Sequence, residues 1–307
     1  MTPTVPRLSV IIPTRNRAAH LAKLLHSLDQ VTEPAIAWEI VVADNGSSDG
    51  TSRLLADWRR SGGGRAVVRV DQPGKSRAVN AAIATSSGEV LCFLDDDITV
   101  EPAWLCAVWE HFERRPNAVA AQGAILWPAE VEEDPELRAS IEGHGTIVRH
   151  VLPQGTLASQ LIGFNMALRR HTMGVLGGFD ERLGPGASGL SDERELADRL
   201  RKLGGAVDYM ADARVIHEID DAHLTEEFFR EHHRKQGRSR FAYKQNGLFS
   251  SILPNLAKAA LTYILWTITG NIRRRYRARG RLYHYREMLR LRGRRDMNAG
   301  TKAARKP

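Results

Sequence analysis

Five apolar residues, Val90 to Leu94, run directly into three consecutive carboxylates, Asp95, Asp96 and Asp97. No other stretch constrains the fold so tightly. A run that is apolar at every position has no polar face, so as a strand it must be covered on both sides, as strands of parallel sheets are. The carboxylates then fall where the strand leaves the sheet, the edge at which open α/β sheets bind ligands. Three adjacent anions repel one another, and a hard divalent cation bound through oxygen is the obvious partner. The alternative is a polar loop with its carboxylates in water.

The residues before this run supply the rest of a sheet. Leu8 to Pro13 reads as a first strand stopped by proline, Trp38 to Ala43 as a second and Ala66 to Val70 as a third. Between them, Leu21, Leu24, Leu25 and Leu28 repeat at helical spacing, and Thr51 to about Arg60 and Lys75 to about Ser86 read as helices. The order β-α-β-α-β-α-β with short connections predicts an α/β fold, a mostly parallel sheet flanked by helices.

Charge is unevenly spread. The chain carries +8 overall, yet residues 271–307 alone hold 14 Lys or Arg and only two acids, so a slightly acidic body precedes a basic tail. Cys92 and Cys106 form no CxxC pair and read as reduced core residues of a cytosolic protein. Val10-Ile11-Ile12 is too short for a signal peptide. In the tail, Pro254, Asn255 and Lys258 interrupt the apolar stretch from Leu248, leaving a clean run of 12 residues from Ala259 to Gly270, short for a membrane span. Leu261, Ile264, Leu265, Ile268 and Ile272 mark one helical face, and arginines follow from Arg273. That pattern fits a helix lying on an anionic membrane surface, or one packed on the body with a solvated basic side. Nucleic acid is not the expected partner, because no RNA-binding signature accompanies the charge. The His232-His233 pair sits on a polar helix and reads as solvated.

Several motifs together carry a family resemblance: Ser9 to Arg17, Asp44 to Thr51, Gly74 to Asn80, Gly88-Glu89, and Phe93 to Asp97. Gly163 to Arg170, Gly177 to Glu181 and Ser191 to Leu200 continue it. In this order and spacing the chain resembles family 2 glycosyltransferases of the GT-A (Rossmann-like) fold over roughly residues 7–220. The resemblance implies a catalytic domain over 1–220, with the nucleotide sugar bound by about 1–100 and the acceptor side in 101–220. A helical, basic, membrane-associating region would follow over 221–307. It also implies an inverting, metal-dependent transfer from a nucleotide-diphosphate sugar, UDP-linked ahead of GDP or dTDP, to a carbohydrate or lipid-linked acceptor in envelope polysaccharide or glycolipid synthesis. The expected location is cytoplasmic, peripheral at the inner face of the cell membrane. The rival readings are a sugar-phosphate nucleotidyltransferase, or a non-catalytic nucleic-acid- or membrane-binding protein.

The resemblance assigns roles by position. Asp97, the last acid of its motif, would hold Mn²⁺ or Mg²⁺ together with His217, which follows the strand-like run ending at Ile216; a lone histidine there is otherwise structural. Asp95 or Asp96 would bind sugar or ribose hydroxyls. In an extended stretch Asp95 and Asp97 share one face. Asp44 would accept a nucleobase N–H, or else shape its own loop as an Asx turn. Thr14, Arg15 and Arg17 follow the first strand at the same edge, and either arginine could reach the diphosphate. Lys75, Arg77 and Asn80 complete the expected nucleotide-sugar set. Glu193 matches the general base. Asp192 is the alternative, because family members commonly read Glu-Asp where this chain reads Asp-Glu. Ser191 is a good N-cap for the helix that carries them. The glycine-rich loop from Leu183 to Gly189 reads as mobile, a lid beside the site.

Overall fold

The computed structural model describes residues 5–244 and 246–303, and its first half is the wound sheet that the apolar runs dictate. Strand β1 (Leu8–Thr14) is followed by helix α1 (Ala18–Leu28), β2 (Trp38–Asp44), α2 (Thr51–Arg60), β3 (Arg65–Arg69), α3 (Lys75–Thr85) and β4 (Val90–Phe93). All pairings among these strands are parallel, in the order β3-β2-β1-β4. Every residue of β1 and β4 is buried, as strands without a polar face require. Pro13 does not stop β1 but lies within it, opposite Ala43. β4 pairs only as far as Ile11, so the proline sits beyond the doubly bonded part of the strand. Gly88 admits β1 just before β4: a Cβ there would lie 2.6 Å from the backbone of Leu8 and Ser9.

The second half makes the sheet mixed. After β5 (Ile98–Val100), α4 (Trp104–Arg114) and β6 (Ala120–Leu126) come α5 (Ala129–Glu133), α6 (Pro135–His144), β7 (Met166–Arg169), α7 (Arg170–Leu176), α8 (Asp192–Lys202) and β8 (Val207–His217). The complete order is β3-β2-β1-β4-β7-β6-β8-β5, with β7 antiparallel to both neighbours and β5 antiparallel to β8. One core joins Ile11, Val41, Leu91 and Leu168 of the sheet to Val79 of α3 and Leu196 of α8. Asn165 fastens the newer strands. Its amide donates to the carbonyls of Ala124 (2.7 Å) and Ala213 (2.8 Å) and accepts from the Trp104 indole at 2.9 Å.

The chain forms two compact units. The sheet unit comprises the residues up to Pro128, Arg149–Ala187 and Asp192–Glu218; the other comprises Ala129–Val148, Ser188–Ser191 and the residues from Ile219. The second unit is helical: α5, α6, α9 (Glu226–Tyr243), α10 (Leu253–Ile268) and α11 (Ile272–Ala303). Helices α9 and α11 approach through glycines. A Cβ on Gly237 would meet the His284 carbonyl at 2.5 Å, and one on Gly280 would run into the His233 ring. His232 and His233 are partly buried rather than fully solvated. Burial pushes them down to about 3 and about 4, so both are neutral near pH 7.

The apolar stretch in the tail is longer than its sequence suggests. A π-helical turn over Leu248–Ile252 runs straight into α10, giving 21 continuous helical residues, Leu248–Ile268. Pro254 stands at the junction where the i→i−5 bonding of the π-helical turn gives way to α10, so its missing N–H falls at a change of register. Asn255 turns its amide onto the Ser251 carbonyl at 2.8 Å. By length and composition this helix can cross a membrane, and only 11% of its apolar window is buried within the protein. Leu261, Ile264, Leu265 and Ile268 are all exposed, Ile268 by 79%.

Candidate active site

The C-terminal ends of β1, β2 and β4 bring the sequence-assigned acids to one edge. Strand β4 ends at Phe93, and Asp96 and Asp97 sit in a turn, so strand alternation fails there. The carboxylates divide differently from the expected pairing. Lys75, at the start of α3, lies 2.6 Å from Asp95 Oδ1 and 2.8 Å from Oδ2. Arg17 Nη1 bridges the other two, at 2.6 Å from Asp97 Oδ2 and 3.1 Å from Asp96 Oδ1. Thr14 donates its hydroxyl to Asp96 Oδ2 at 2.7 Å. Sequence placed Thr14 and Asp96 on the nucleotide sugar; the structure gives them to each other.

Helix α8 delivers the acid pair from the other half of the sheet unit. Glu193 Oε1 lies 3.7 Å from the same Lys75 ammonium that holds Asp95. Asp192 is buried beneath it, 3.5 Å from the Ser76 hydroxyl. Burial first, and then the Asp192 carboxylate, push Glu193 up to about 8 against the opposing pull of Lys75. Burial works against the Lys75 charge, but Asp95, Glu193 and Asp192 outweigh it and hold the ammonium strongly protonated. Gly163 makes room for the base: a Cβ there would stand 2.9 Å from Glu193 Cγ. Ser191 does not adopt the extended conformation of an N-cap. At φ 73° it is left-handed, as is Asn16 at φ 54° before Arg17, and strain of this kind gathers at functional sites.

His217 ends β8 opposite Ile98, and the Glu218 N–H bonds to the Asp97 carbonyl at 3.0 Å. The imidazole therefore stands beside Asp97, stacked 4.7 Å from the Phe164 ring. Burial alone would raise Asp97, but His217 and Arg17 hold it below the usual carboxylate range. Among the described residues no three His, Cys, Asp or Glu side chains form a metal-binding group. The pair of Asp97 and His217 still fits a hard cation, because Mg²⁺-type sites often take one or two protein ligands and the rest from phosphate and water.

Of the remaining assigned residues, Asp44 lies at the same edge and three others do not. Asp44 is buried at the end of β2 and accepts from the Ser47 N–H (2.9 Å) and the Ser52 hydroxyl (2.7 Å). Burial would raise its pKa, but these bonds and Arg69 bring it below the ordinary value. Asn80 clamps Phe179 by donating to its carbonyl and accepting from its N–H, both at 2.9 Å. Arg77 pairs with Glu181 at 3.0 Å. Arg15 is exposed beyond β1. These last three are not brought to the carboxylates: a helix shows one face at a time, and the face of α3 with Arg77 and Asn80 meets the 177–181 turn. The Leu183 carbonyl accepts from Ser76 at 3.0 Å and the Pro185 carbonyl from the Lys75 N–H at 2.8 Å, so the glycine loop expected as a lid is fastened to the start of α3. Sequence reasoning missed Gly163 as the seat of the base and Asn165 as the tie between strands. Both lie in the quoted Gly163 to Arg170 motif, which was the available signal.

Comparison with known proteins agrees with this geometry. The model of glycosyl transferase family 2 matches residues 9–173, more than half of the chain. Glycosyltransferase AglE of Haloferax volcanii is 35% identical over 133 residues, covering 43% of this chain and 41% of the relative. The beta-monoglucosyldiacylglycerol synthase of Trichormus variabilis is 25% identical over 210 residues, covering 65% of this chain and 42% of that one. The chain thus spans less than half the length of either relative. Among solved structures, the mannosyltransferase PcManGT of Pyrobaculum calidifontis, in complex with GDP-Man and Mn²⁺, superposes with a TM-score of 0.56 at 17% identity, covering 98% of this chain and 81% of that one. That likeness shows the fold, a GT-A-like mixed sheet flanked by helices with C-terminal helices.

Proposed function

Because the chain belongs to glycosyl transferase family 2, we propose that it moves a sugar from a nucleotide-diphosphate donor to an acceptor hydroxyl, in one inverting displacement. The observation that carries this reading is the convergence of Glu193 with Asp95 on Lys75, at the sheet edge that also holds Asp97 and His217. Glu193 is the general base. A carboxylate pushed up to about 8 takes a hydroxyl proton more readily than an ordinary one. Lys75 fixes its position and offsets the charge of the three acids around it. Attack by the activated hydroxyl opposite the leaving diphosphate inverts the anomeric carbon.

Asp97 and His217 would hold Mn²⁺ or Mg²⁺. When bound, such an ion neutralises charge developing on the leaving diphosphate. Asp44 uses one acceptor position on each oxygen within its own loop, and a carboxylate retains others for a nucleobase N–H. UDP sugars are proposed ahead of GDP or dTDP sugars. Asp95, freed from Lys75, is the acid available to sugar or ribose hydroxyls. The acceptor is proposed to be lipid-linked or a growing polysaccharide. The name of the Trichormus relative supports a lipid, as does the exposed apolar face of α10, next to the arginines that open α11. We place the protein on the inner face of the cell membrane through 248–290. The continuous 21-residue helix favours a second reading, a single span.

A screen of nucleoside diphosphates and their sugars with Mn²⁺ or Mg²⁺ tests the reaction class. Binding of one diphosphate, abolished by chelator and by Asp97→Ala, is expected. Undiminished turnover in chelator would remove the metal role, and absence of any diphosphate affinity would remove the transferase reading.

A further inference from the structure

The geometry points to Arg17 as a resident counter-cation that a divalent metal must displace from Asp97, with Asp96 as the anchor that keeps the arginine in reach. This inference rests on the metal-dependent reading above and adds to it an order of events. One guanidinium nitrogen touches both acids, at 2.6 Å from Asp97 and 3.1 Å from Asp96. The two contacts differ in kind. Asp96 is 6% exposed, and each of its oxygens is taken, one by Arg17 and the other by Thr14. Both of its oxygens are thus engaged, and it is the more fixed of the two acids. Asp97 stands next to His217, and its Oδ2 is the atom on which Arg17 rests.

The turn that carries Arg17 is built to hold it there. Asn16 adopts a left-handed conformation, donates its N–H to Ser47 Oγ at 3.0 Å and accepts from the Ser48 N–H at 2.7 Å. The backbone on either side of Arg17 is thus tied to the neighbouring loop and to α1, while the long side chain, 34% exposed, ends on the two carboxylates. A guanidinium and a divalent ion cannot share one carboxylate oxygen without strong repulsion. When metal enters at Asp97, Arg17 gives up that oxygen, keeps Asp96, and presents its remaining donors to the diphosphate, whose geometry a guanidinium matches. Metal alone meets a competitor in this site. Metal with diphosphate offers the displaced arginine a new partner. The two ligands should therefore assist each other, and by linkage the assistance is mutual.

The test is direct binding of Mn²⁺, followed by electron paramagnetic resonance of the free ion, with and without UDP or GDP, to wild type, Arg17→Met, Arg17→Lys and Asp97→Asn. Arg17→Met should bind Mn²⁺ alone at least about tenfold more tightly than wild type, while its diphosphate affinity in saturating Mn²⁺ falls by about tenfold. The mutual enhancement seen in wild type should vanish. Arg17→Lys, which keeps the charge without the bridging fork, should fall between, and it serves should the methionine variant prove unstable. Asp97→Asn should bind no Mn²⁺. Arg17→Met with unchanged or weaker Mn²⁺ affinity would overturn the displacement while leaving the metal site intact. No Mn²⁺ binding by wild type, even with diphosphate, would overturn the metal reading and this inference with it.

Discussion

Replacing Gly163 by alanine should disable the base without touching it chemically. The Cβ added there stands 2.9 Å from Glu193 Cγ and 3.0 Å from Cδ, and closer still to Oε1. Carbon atoms pack at roughly 3.5–4.0 Å, so the carboxylate must retreat by about 1 Å. The backbone accepts alanine, because Gly163 is not among the positive-φ glycines. The side chain yields instead, and the placement of its carboxylate 3.7 Å from Lys75 is lost. A reacting group misplaced by about 1 Å costs about 10²-fold in rate, equivalent to about 2.7 kcal/mol in the barrier. Overpacking should cost about 1–3 kcal/mol of stability, which leaves the domain folded. The assay is kcat with the donor found by screening, alongside donor Kd and a thermal melt. We expect kcat to fall by about two orders of magnitude with donor Kd within about twofold. Glu193→Gln combined with Gly163→Ala should be little worse than Glu193→Gln alone, because both remove the same function. A kcat within about twofold of wild type, or fully additive losses in the double variant, would refute the placement of the base.

Four further outcomes are expected. With Glu193 pushed up to about 8, its acid form predominates below that value, so kcat/KM should climb about tenfold per pH unit and level off above about 8; an acidic limb near 4.5 would show that Glu193 is not raised in the working site. Lys75→Met removes the cation opposing that rise and should move the limb further to alkaline pH. Asn165→Ala strands the Trp104 N–H and the carbonyls of Ala124 and Ala213 in the interior and should lower stability by about 3 kcal/mol in denaturant unfolding; a loss under about 1 kcal/mol would show that the tie is dispensable. In vesicle flotation, changing Leu261, Ile264 and Leu265 to serine should weaken binding to anionic lipid even at low salt, whereas neutralising Arg273, Arg274, Arg275 and Arg277 should weaken it chiefly at low salt; extraction of wild type by detergent but not by salt or alkali would establish the spanning alternative.

The first half of the sheet was legible because β1 and β4 are buried at every position and the strands alternate with helices, α1 marked by its leucine spacing. The second half was not. Strand β6 reads Ala-Ala-Gln-Gly-Ala-Ile-Leu, whose first five positions are small residues and a buried glutamine that do not mark a strand, and β5 has three residues that run on from the carboxylate turn. The acids themselves were legible from their crowding, but the partners were not. Arg17 meets Asp97 across 80 positions and Lys75 meets Asp95 across 20, and no spacing rule links residues so far apart. Asn80 and Arg77 matched a motif, yet position in a motif does not say which way a helix face turns. The tail was read as broken because Pro254 was weighed as a breaker; at the junction of a π-helical turn with α10 the helix continues through it.

The loops at the sheet edge are cross-braced before any ligand arrives. Asn45 holds the Val70 and Gln72 carbonyls and accepts from the Gly74 N–H, Asn16 joins the loop after β1 to the one after β2, and Asp49 reaches back to the Ala18 N–H. Conformational freedom that a floppy edge would surrender on binding has already been given up in folding. Association of the nucleotide should therefore carry little ordering entropy, and the backbone of these loops should superpose within about 1 Å between free and bound forms. The motion that accompanies binding is then a change of carboxylate partners by Arg17 and Lys75 on a fixed frame.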